Sequence, residues 1–248
     1  MKIDILASGS GGNCIAVRSG STVILVDAGI PKTKIEKRLL EAGIRPDEIA
    51  CIFVTHAHID HVKGLPLANK YRIPVYASEG EWKDIKGVDE DLHRTLRPYT
   101  ELEILDEPRI TVRWFRTHHD SYDSLMFTIE AEQKVSICLD TGRVDRDMLK
   151  AMEGSDIYII EANHDPELVA VSEYPDSVKA RVLSDLGHLS NQQTAAALAQ
   201  LVQGRGERVY LTHLSKSNNI PELAQATVEA ALRRRGYTNG KDYFLEVV

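Results

Sequence analysis

Between residues 55 and 61 the chain reads THAHIDH, which places three histidines and one aspartate within seven positions. Imidazole and carboxylate are side chains that bind divalent metals, and the apolar run just before them, IACIFV, reads as a buried strand. In extended chain, positions i and i+2 point the same way, so His56 and His58 can share one ion. A helix starting near Asp60 sends Asp60 and His61 out of the loop in another direction, toward a second ion. Donors without thiolate suit zinc, manganese or iron. A closed structural zinc site typically includes cysteine, and none lies near the cluster, so the pattern predicts a catalytic site with open positions.

Four ligands are too few for two ions. Further donors stand at the ends of other apolar runs: His118 and His119 after RITVRWFRT, Asp140 after KVSICL, and His213 after RVYLT. The residues alone do not choose between His118 and His119. Hydrolysis at such a centre needs a proton for the leaving group, and Asp60 and His188 are the candidates. His164 and His188 sit in loops and are expected to line the cleft, with Asn163 and Asp165 flanking His164 to orient it. Phosphate needs donors that do not all depend on charge. The loop SGSGGN offers backbone amides together with Ser10 and Asn13. The segment HLSKSNN offers Ser215, Lys216, Asn218 and Asn219 ahead of a helix N-terminus, with Asn219 expected to cap that helix. His93 stands in a charged stretch and is expected at the surface.

The elements that must position these side chains are legible as period changes. KIDILAS, CIAVRSG and STVILVDAG read as strands, the last ending at Asp27. KTKIEKRLLEAG has helical apolar spacing at Ile35, Leu39 and Leu40, with Gly43 at its end. IACIFVT and IPVYAS are strands, followed by four strand-like runs: ELEIL, RITVRWFRT, SLMFTIE and KVSICLDTG. Then come a helix over DRDMLKAME, a strand over SDIYIIEANHD, and a helix begun by the capping-box pair Ser190 and Gln193. ERVYLTHLS is a strand, NNIPELAQATVEAALRRRG a helix stopped by Gly236, and YFLEVV a last strand. Two strand-rich halves, each carrying helices, predict an α/β fold: a sandwich of two mixed sheets with helices on both outer faces. No linker or short-period repeat interrupts residues 1–248, so one domain is expected.

Composition narrows the function. A chain of 248 residues buries a sizeable core, and a net charge of −7 argues against a broad basic surface for nucleic acid. A local positive groove built on two bound cations remains compatible with that charge. The three cysteines, Cys14, Cys51 and Cys138, have no metal-binding spacing and predict a reduced, cytoplasmic chain. There is no apolar run of membrane-spanning length, and MKIDILASGSGG is too short in apolar residues for a signal peptide.

The ordered set of Asp27, the 56–61 cluster, a strand-end histidine, Asp140 and His213 resembles the five motifs of the metallo-β-lactamase superfamily. That resemblance implies the αββα sandwich and two metals, manganese or zinc, with iron a further choice. It implies that His56, His58 and a third histidine hold one ion, that Asp60, His61 and His213 hold the other, and that Asp140 bridges them. Asp27 would orient ligands through hydrogen bonds. SGSGGNC, EANHD, SDLGHLSN and LTHLSKSNN together are similar to the YycJ (WalJ) branch, which implies a 5′-to-3′ DNA exonuclease acting on a 5′-phosphorylated end. That branch is linked to mismatch repair and to cell-wall regulation. In it the ligand histidine precedes an aspartate, so THHD implies His119. The larger β-CASP insert of related nucleases has no room between Asp140 and His213. Two other functions fit the same residues: a small-molecule hydrolase (cyclic phosphodiesterase, thioesterase or lactonase), and a non-catalytic metal-binding regulator.

Overall fold

The computed structural model describes residues 1–98, 100–104 and 109–248. They fall into two compact units. The first comprises Met1–Trp114, Ser121–Leu125 and Glu130–Glu132; the second comprises Phe115–Asp120, Met126–Ile129 and Gln133–Val248.

The first unit contains β1 (Lys2–Ala7), β2 (Cys14–Ser19), β3 (Thr22–Val26), α1 (Lys32–Glu41), β4 (Ile49–Phe53), α2 (Ile59–Val62), α3 (Pro66–Tyr71), β5 (Val75–Ser78), β6 (His93–Leu96) and β7 (Glu101–Ile104). The strands β8 (Ile110–Arg116) and β9 (Leu125–Glu130) lead toward the second unit. There follow β10 (Lys134–Cys138), α4 (Arg146–Met152), β11 (Ile157–Glu161), α5 (Pro166–Val171), α6 (Asp176–Val182), α7 (Asn191–Leu201), β12 (Glu207–Thr212), α8 (Pro221–Arg234) and β13 (Tyr243–Val247). The strand orders are β1-β2-β3-β4-β5-β6 and β13-β12-β11-β10-β9-β8-β7. Both sheets are mixed. β1, β2 and β3 pair antiparallel and β3 to β6 parallel, whereas β10 to β13 pair parallel and β7 with β8 antiparallel.

Parallel strands need crossovers, and the crossovers supply the helices. Strands such as TVILV and IYIIE are buried at every position, so they read as continuous apolar runs rather than alternating ones. Each unit has its own core. Ile35, Leu39, Ile52 and Val75 belong to the first, and Met126, Tyr158, Leu198 and Val228 to the second. The three cysteines are buried thiols, and burial pushes each of them up, out of reach of ionisation at neutral pH.

Several expectations are corrected. The helix read from KTKIEKRLLEAG does form as α1, with Ile35 and Leu39 buried and Leu40 61% exposed. α8 is preceded by Ile220 without side-chain capping. Asn219 does not cap it; its amide is spent on Ala162 O (2.7 Å) and on a reciprocal pair with Asn191 (2.9 Å). His93 is half-buried in β6, stacked on Trp82 at 3.9 Å, with a ring nitrogen 3.1 Å from Val88 O. The short helices α3, α5 and α6 and the strand β6 are not apparent from periodicity. Of the ELEIL run, Leu105 lies outside the described residues. The Ser190–Gln193 capping box forms as the spacing predicts.

Candidate metal centre

In the first unit the register of β3 with β4 sets Val26 beside Phe53, so the residues that follow, Asp27 and the 55–61 loop, leave the sheet together. Asp27 takes a positive φ of 61°, a conformation non-glycine residues adopt only at a cost of about 1–3 kcal/mol. The turn aims its carboxylate, which is fully buried, at Thr55 and His61. Thr55 N donates to Oδ1 at 2.8 Å, the Thr55 hydroxyl donates to Oδ2 at 2.9 Å, and His61 Nδ1 lies 2.7 Å from Oδ2. A carboxylate can only accept, so His61 carries its proton on Nδ1 and its Nε2 is left as an acceptor, met in this structure by Asn13 Nδ2 at 3.1 Å. With the Thr55 proton on Asp27, the Thr55 oxygen accepts from His56 Nδ1 at 3.1 Å, which fixes the same tautomer there. The rings of His56 and His58 lie 4.5 Å apart, those of His56 and His61 4.1 Å, and Asp60 Oδ2 is 3.7 Å from His61 Nε2. A short helix does begin at Ile59, with His58 as its N-cap residue.

Two glycines let the 8–13 loop press onto this helix. Asn13 N donates to Asp60 O at 2.8 Å, and Gly29 N donates to Asn13 O at 2.7 Å. A Cβ on Gly29 would stand 1.6 Å from Asp60 O, and one on Gly12, whose φ is +134°, would stand 2.4 Å from Gly29 O. Asn13 is buried with Oδ1 accepting from Gly9 N at 3.0 Å and Nδ2 at 3.1 Å from His61 Nε2. Asn13 therefore faces the ligand set directly, while Ser10 stays exposed. Glu81 is a participant the sequence reading missed. Its buried carboxylate accepts from Ala57 N at 2.7 Å and Asp123 N at 2.6 Å, holding the histidine loop from behind.

In the second unit the parallel register sets Cys138, Ile160 and Leu211 side by side, so Asp140, Glu161 and His213 emerge at the same carboxyl ends. Asp140 and His213 also take positive φ, 43° and 56°. Among the described residues only one other non-glycine, Arg72 at the end of α3, does so. His213 Nδ1 lies 2.7 Å from Asp140 Oδ1 and 3.3 Å from Glu161 Oε2. His188 Nδ1 lies 3.1 Å from Glu161 Oε2 and 3.7 Å from Asp140 Oδ1. Asp140, Glu161, His188 and His213 can each offer a ligand atom within 4.8 Å of the others.

The two histidines left open by sequence part company here. His118 Nε2 pairs with Asp145, the N-cap of α4, at 2.7 Å. His119 turns inward: Nδ1 meets Gly187 O at 3.0 Å, which leaves Nε2 3.8 Å from Asp140 Oδ2 and 3.4 Å from Asp120 Oδ1. Asn163 and Asp165 do not hold His164. Asn163 Nδ2 donates to His213 O at 2.9 Å, and Asp165 caps α5. His164 is buried, its Nδ1 has no hydrogen-bond partner, and burial pushes its pKa down to about 4, so the ring is neutral. Asn218 is likewise buried with Oδ1 unpartnered, and its N donates to Ser215 Oγ at 3.2 Å. Lys216 is exposed.

Glu161, also missed by the sequence reading, is fully buried. Burial alone would raise its carboxyl, but His188 and His213 beside it outweigh that and hold it below the usual carboxylate range. Reciprocally, Glu161 overcomes the burial that would lower His188 and raises it. At His119 burial outweighs the raising effect of Asp140, Glu161 and Asp120, and lowers it. Imidazoles with committed tautomers, acidic oxygens and no thiolate make a donor set that fits a hard or borderline divalent cation.

Residues 22–214 match the family model described as the β-lactamase superfamily domain. The chain is 32% identical to exodeoxyribonuclease YycJ of Bacillus anthracis over 98% of this chain and 93% of that protein. It is 35% identical to exodeoxyribonuclease WalJ of Streptococcus pneumoniae serotype 2 over 98% of this chain and 92% of that one. Among solved structures, the metallo-β-lactamase fold protein YhfI from Bacillus subtilis superposes with a TM-score of 0.72, at 14% identity, over 99% of this chain and 95% of its own. This chain therefore belongs to the β-lactamase superfamily, as a metal-dependent hydrolase with the metallo-β-lactamase fold.

Proposed function

We propose that the chain is a dinuclear 5′-to-3′ DNA exonuclease. The observation that carries this is its similarity, over nearly its whole length, to two relatives named exodeoxyribonucleases. The five crossings of the chain between its two compact units support one working domain rather than two tethered ones. In this reading His56, His58 and His119 hold one divalent ion, Asp60, His61 and His213 a second, and Asp140 serves both; manganese or zinc is the expected metal. When bound, such ions supply Lewis-acid polarisation of a phosphodiester and acidify water near neutral pH. Asp27, Thr55 and Gly187 O keep the imidazoles in the ligating tautomer. Glu161 orients His188, which protonates the leaving sugar oxygen; Asp60 is spent as a ligand.

A terminal 5′-phosphate needs neutral donors in a place a continuing strand cannot enter. His164, Ser215 and Asn218, with Lys216 at the rim, supply that set. The buried unpartnered Nδ1 of His164 supports it, since buried polar groups ordinarily find partners, and Asn218 would donate through its Nδ2. Ser10 stands exposed on the 8–13 loop, and Asn13 and Asn219 are already engaged. The buried thiols and the lack, among described residues, of a helix able to cross a membrane are compatible with a cytoplasmic enzyme. Comparing 5′-phosphorylated with 5′-hydroxyl strands tests the end preference. Ser215→Ala and Asn218→Ala should slow cleavage of the phosphorylated strand by about 1.5–3 kcal/mol, while bis(p-nitrophenyl) phosphate loses much less. Equal loss on both substrates contradicts the pocket.

A further inference from the structure

Three lysines of the first unit leave the chain from one junction beside the helix that carries Asp60 and His61. Lys63 closes that helix, α2: its N donates to Ile59 O at 3.1 Å, and its φ and ψ of −52° and −33° continue the helical turn. Lys63 stands three residues past Asp60 on the same helical face, which sets the two Cβ atoms about 5–6 Å apart. The next residue, Gly64, is pressed against the segment that enters α1. Gly64 N donates to Ala28 O at 2.6 Å, Ala28 N donates to His61 O at 2.8 Å, and a Cβ on Gly64 would stand 2.2 Å from Ile30 O. Just beyond Ile30 the first turn of α1 begins, and it carries Lys32 and Lys34 with no acidic side chain.

Lys32, Lys34 and Lys63 are all exposed, and none of the three side chains makes an ion pair or hydrogen bond among the described residues. The lysines around them are paired. Lys37 lies 3.7 Å from Glu41, and Lys70 lies 2.6 Å from Glu36, whose same oxygen accepts from the Tyr71 hydroxyl at 2.9 Å. Cations in a first helical turn also oppose the helix dipole, which favours acids there, so fold stability does not account for Lys32 and Lys34. In a chain of net charge −7, uncompensated ammonium groups one turn from Asp60 mark the place where a polyanion is met. We propose that Lys32, Lys34 and Lys63 form a ridge that receives backbone phosphates of DNA flanking the scissile one, with Lys63 nearest the centre. The inference rests on the nuclease reading above and names side chains that hold the strand. Ammonium–phosphate contacts position the nucleic acid and carry no sequence information, so the ridge serves any sequence.

The test uses the metal-loaded full chain, its Lys63→Gln and Lys63→Arg variants, and the triple variant Lys32→Gln/Lys34→Gln/Lys63→Gln. Binding is read by fluorescence anisotropy over a range of salt, with a 5′-phosphorylated DNA duplex whose terminal linkages are phosphorothioates to slow cleavage. Turnover is read on the unmodified duplex and on bis(p-nitrophenyl) phosphate. Each lysine that meets a phosphate contributes about −0.9 to the slope of log affinity against log salt. Lys63→Gln should make the slope shallower by about 0.9 and the triple variant by about 2.7, while Lys63→Arg keeps the parental slope. KM on the duplex should rise in the triple variant, the small diester should lose much less, and metal content should stay at the parental level. Parental slope and affinity in the triple variant overturn the ridge, as does an equal loss on duplex and small diester. A parent that hydrolyses the small diester but neither binds nor cuts DNA removes the nuclease reading and the ridge together; a parent that cuts DNA while the triple variant matches it removes the ridge alone.

Discussion

At the scale of single residues, the centre depends on who holds which proton. Asp27 accepts from Thr55 and His61 and so leaves His61 Nε2 as the acceptor that the proposed metal assignment uses. Asp27→Ala should weaken metal binding about 10- to 100-fold, measured by titration with a chromophoric chelator. On the proposed assignment His58→Ala removes a ligand, so it should lower the metal content by up to one ion per chain and abolish turnover; unchanged elemental analysis in that variant contradicts the assignment. The sequence made the HxHxDH loop legible because a strand followed by donors at i and i+2 is a local pattern. It left His118 and His119 open to the residues alone, since what separates them is distant in the chain: Asp145 captures one and Gly187 the other. Glu161 and Glu81 went unnoticed for a related reason. A lone glutamate at the end of IYIIE looks like a strand terminus, and only the fold shows it fully buried between two histidines.

At the scale of elements, strand ends do the positioning and the backbone is strained to achieve it. Asp27, Asp140 and His213 all sit at positive φ one or two residues after buried strands. No sequence signal singles out these positions: aspartate and histidine take positive φ more readily than most non-glycine residues, yet only at a small fraction of their occurrences. The strands themselves were legible as apolar runs, whereas α5 and α6 are too short for a helical period to emerge. Close approach of the 8–13 loop to α2 requires Gly29, so Gly29→Ala should destabilise by about 3 kcal/mol or more, read as a lowered denaturant midpoint. Glu81→Gln replaces a buried double acceptor with a group that has one acceptor oxygen. It should cost about 1.5–3 kcal/mol in the same measurement and loosen metal binding, because the Ala57 amide loses its partner. A variant with parental stability and parental metal affinity would show that Glu81 does not support the histidine loop.

At the scale of the whole molecule, the nuclease reading asks a net charge of −7 to coexist with a polyanionic substrate. A net negative charge offers no broad attraction, so on that reading DNA would be gripped locally, by cations at the centre and by few basic side chains. Affinity should still fall as salt rises, with a log–log slope of about −0.7 per phosphate neutralised on a single strand and about −0.9 on a duplex, and a slope near zero would contradict direct backbone contact. The sandwich class followed from strands and helices alternating along the chain, while the division into two interleaved compact units did not, since no linker separates them. The most direct test of the nuclease reading is incubation of the manganese-loaded chain with a DNA labelled at its 3′ end and phosphorylated at its 5′ end. The account predicts a ladder of 3′-labelled fragments shortening progressively from the 5′ side, abolished by chelator and by His58→Ala. Intact DNA beside rapid hydrolysis of a thioester or lactone by the same preparation would contradict it.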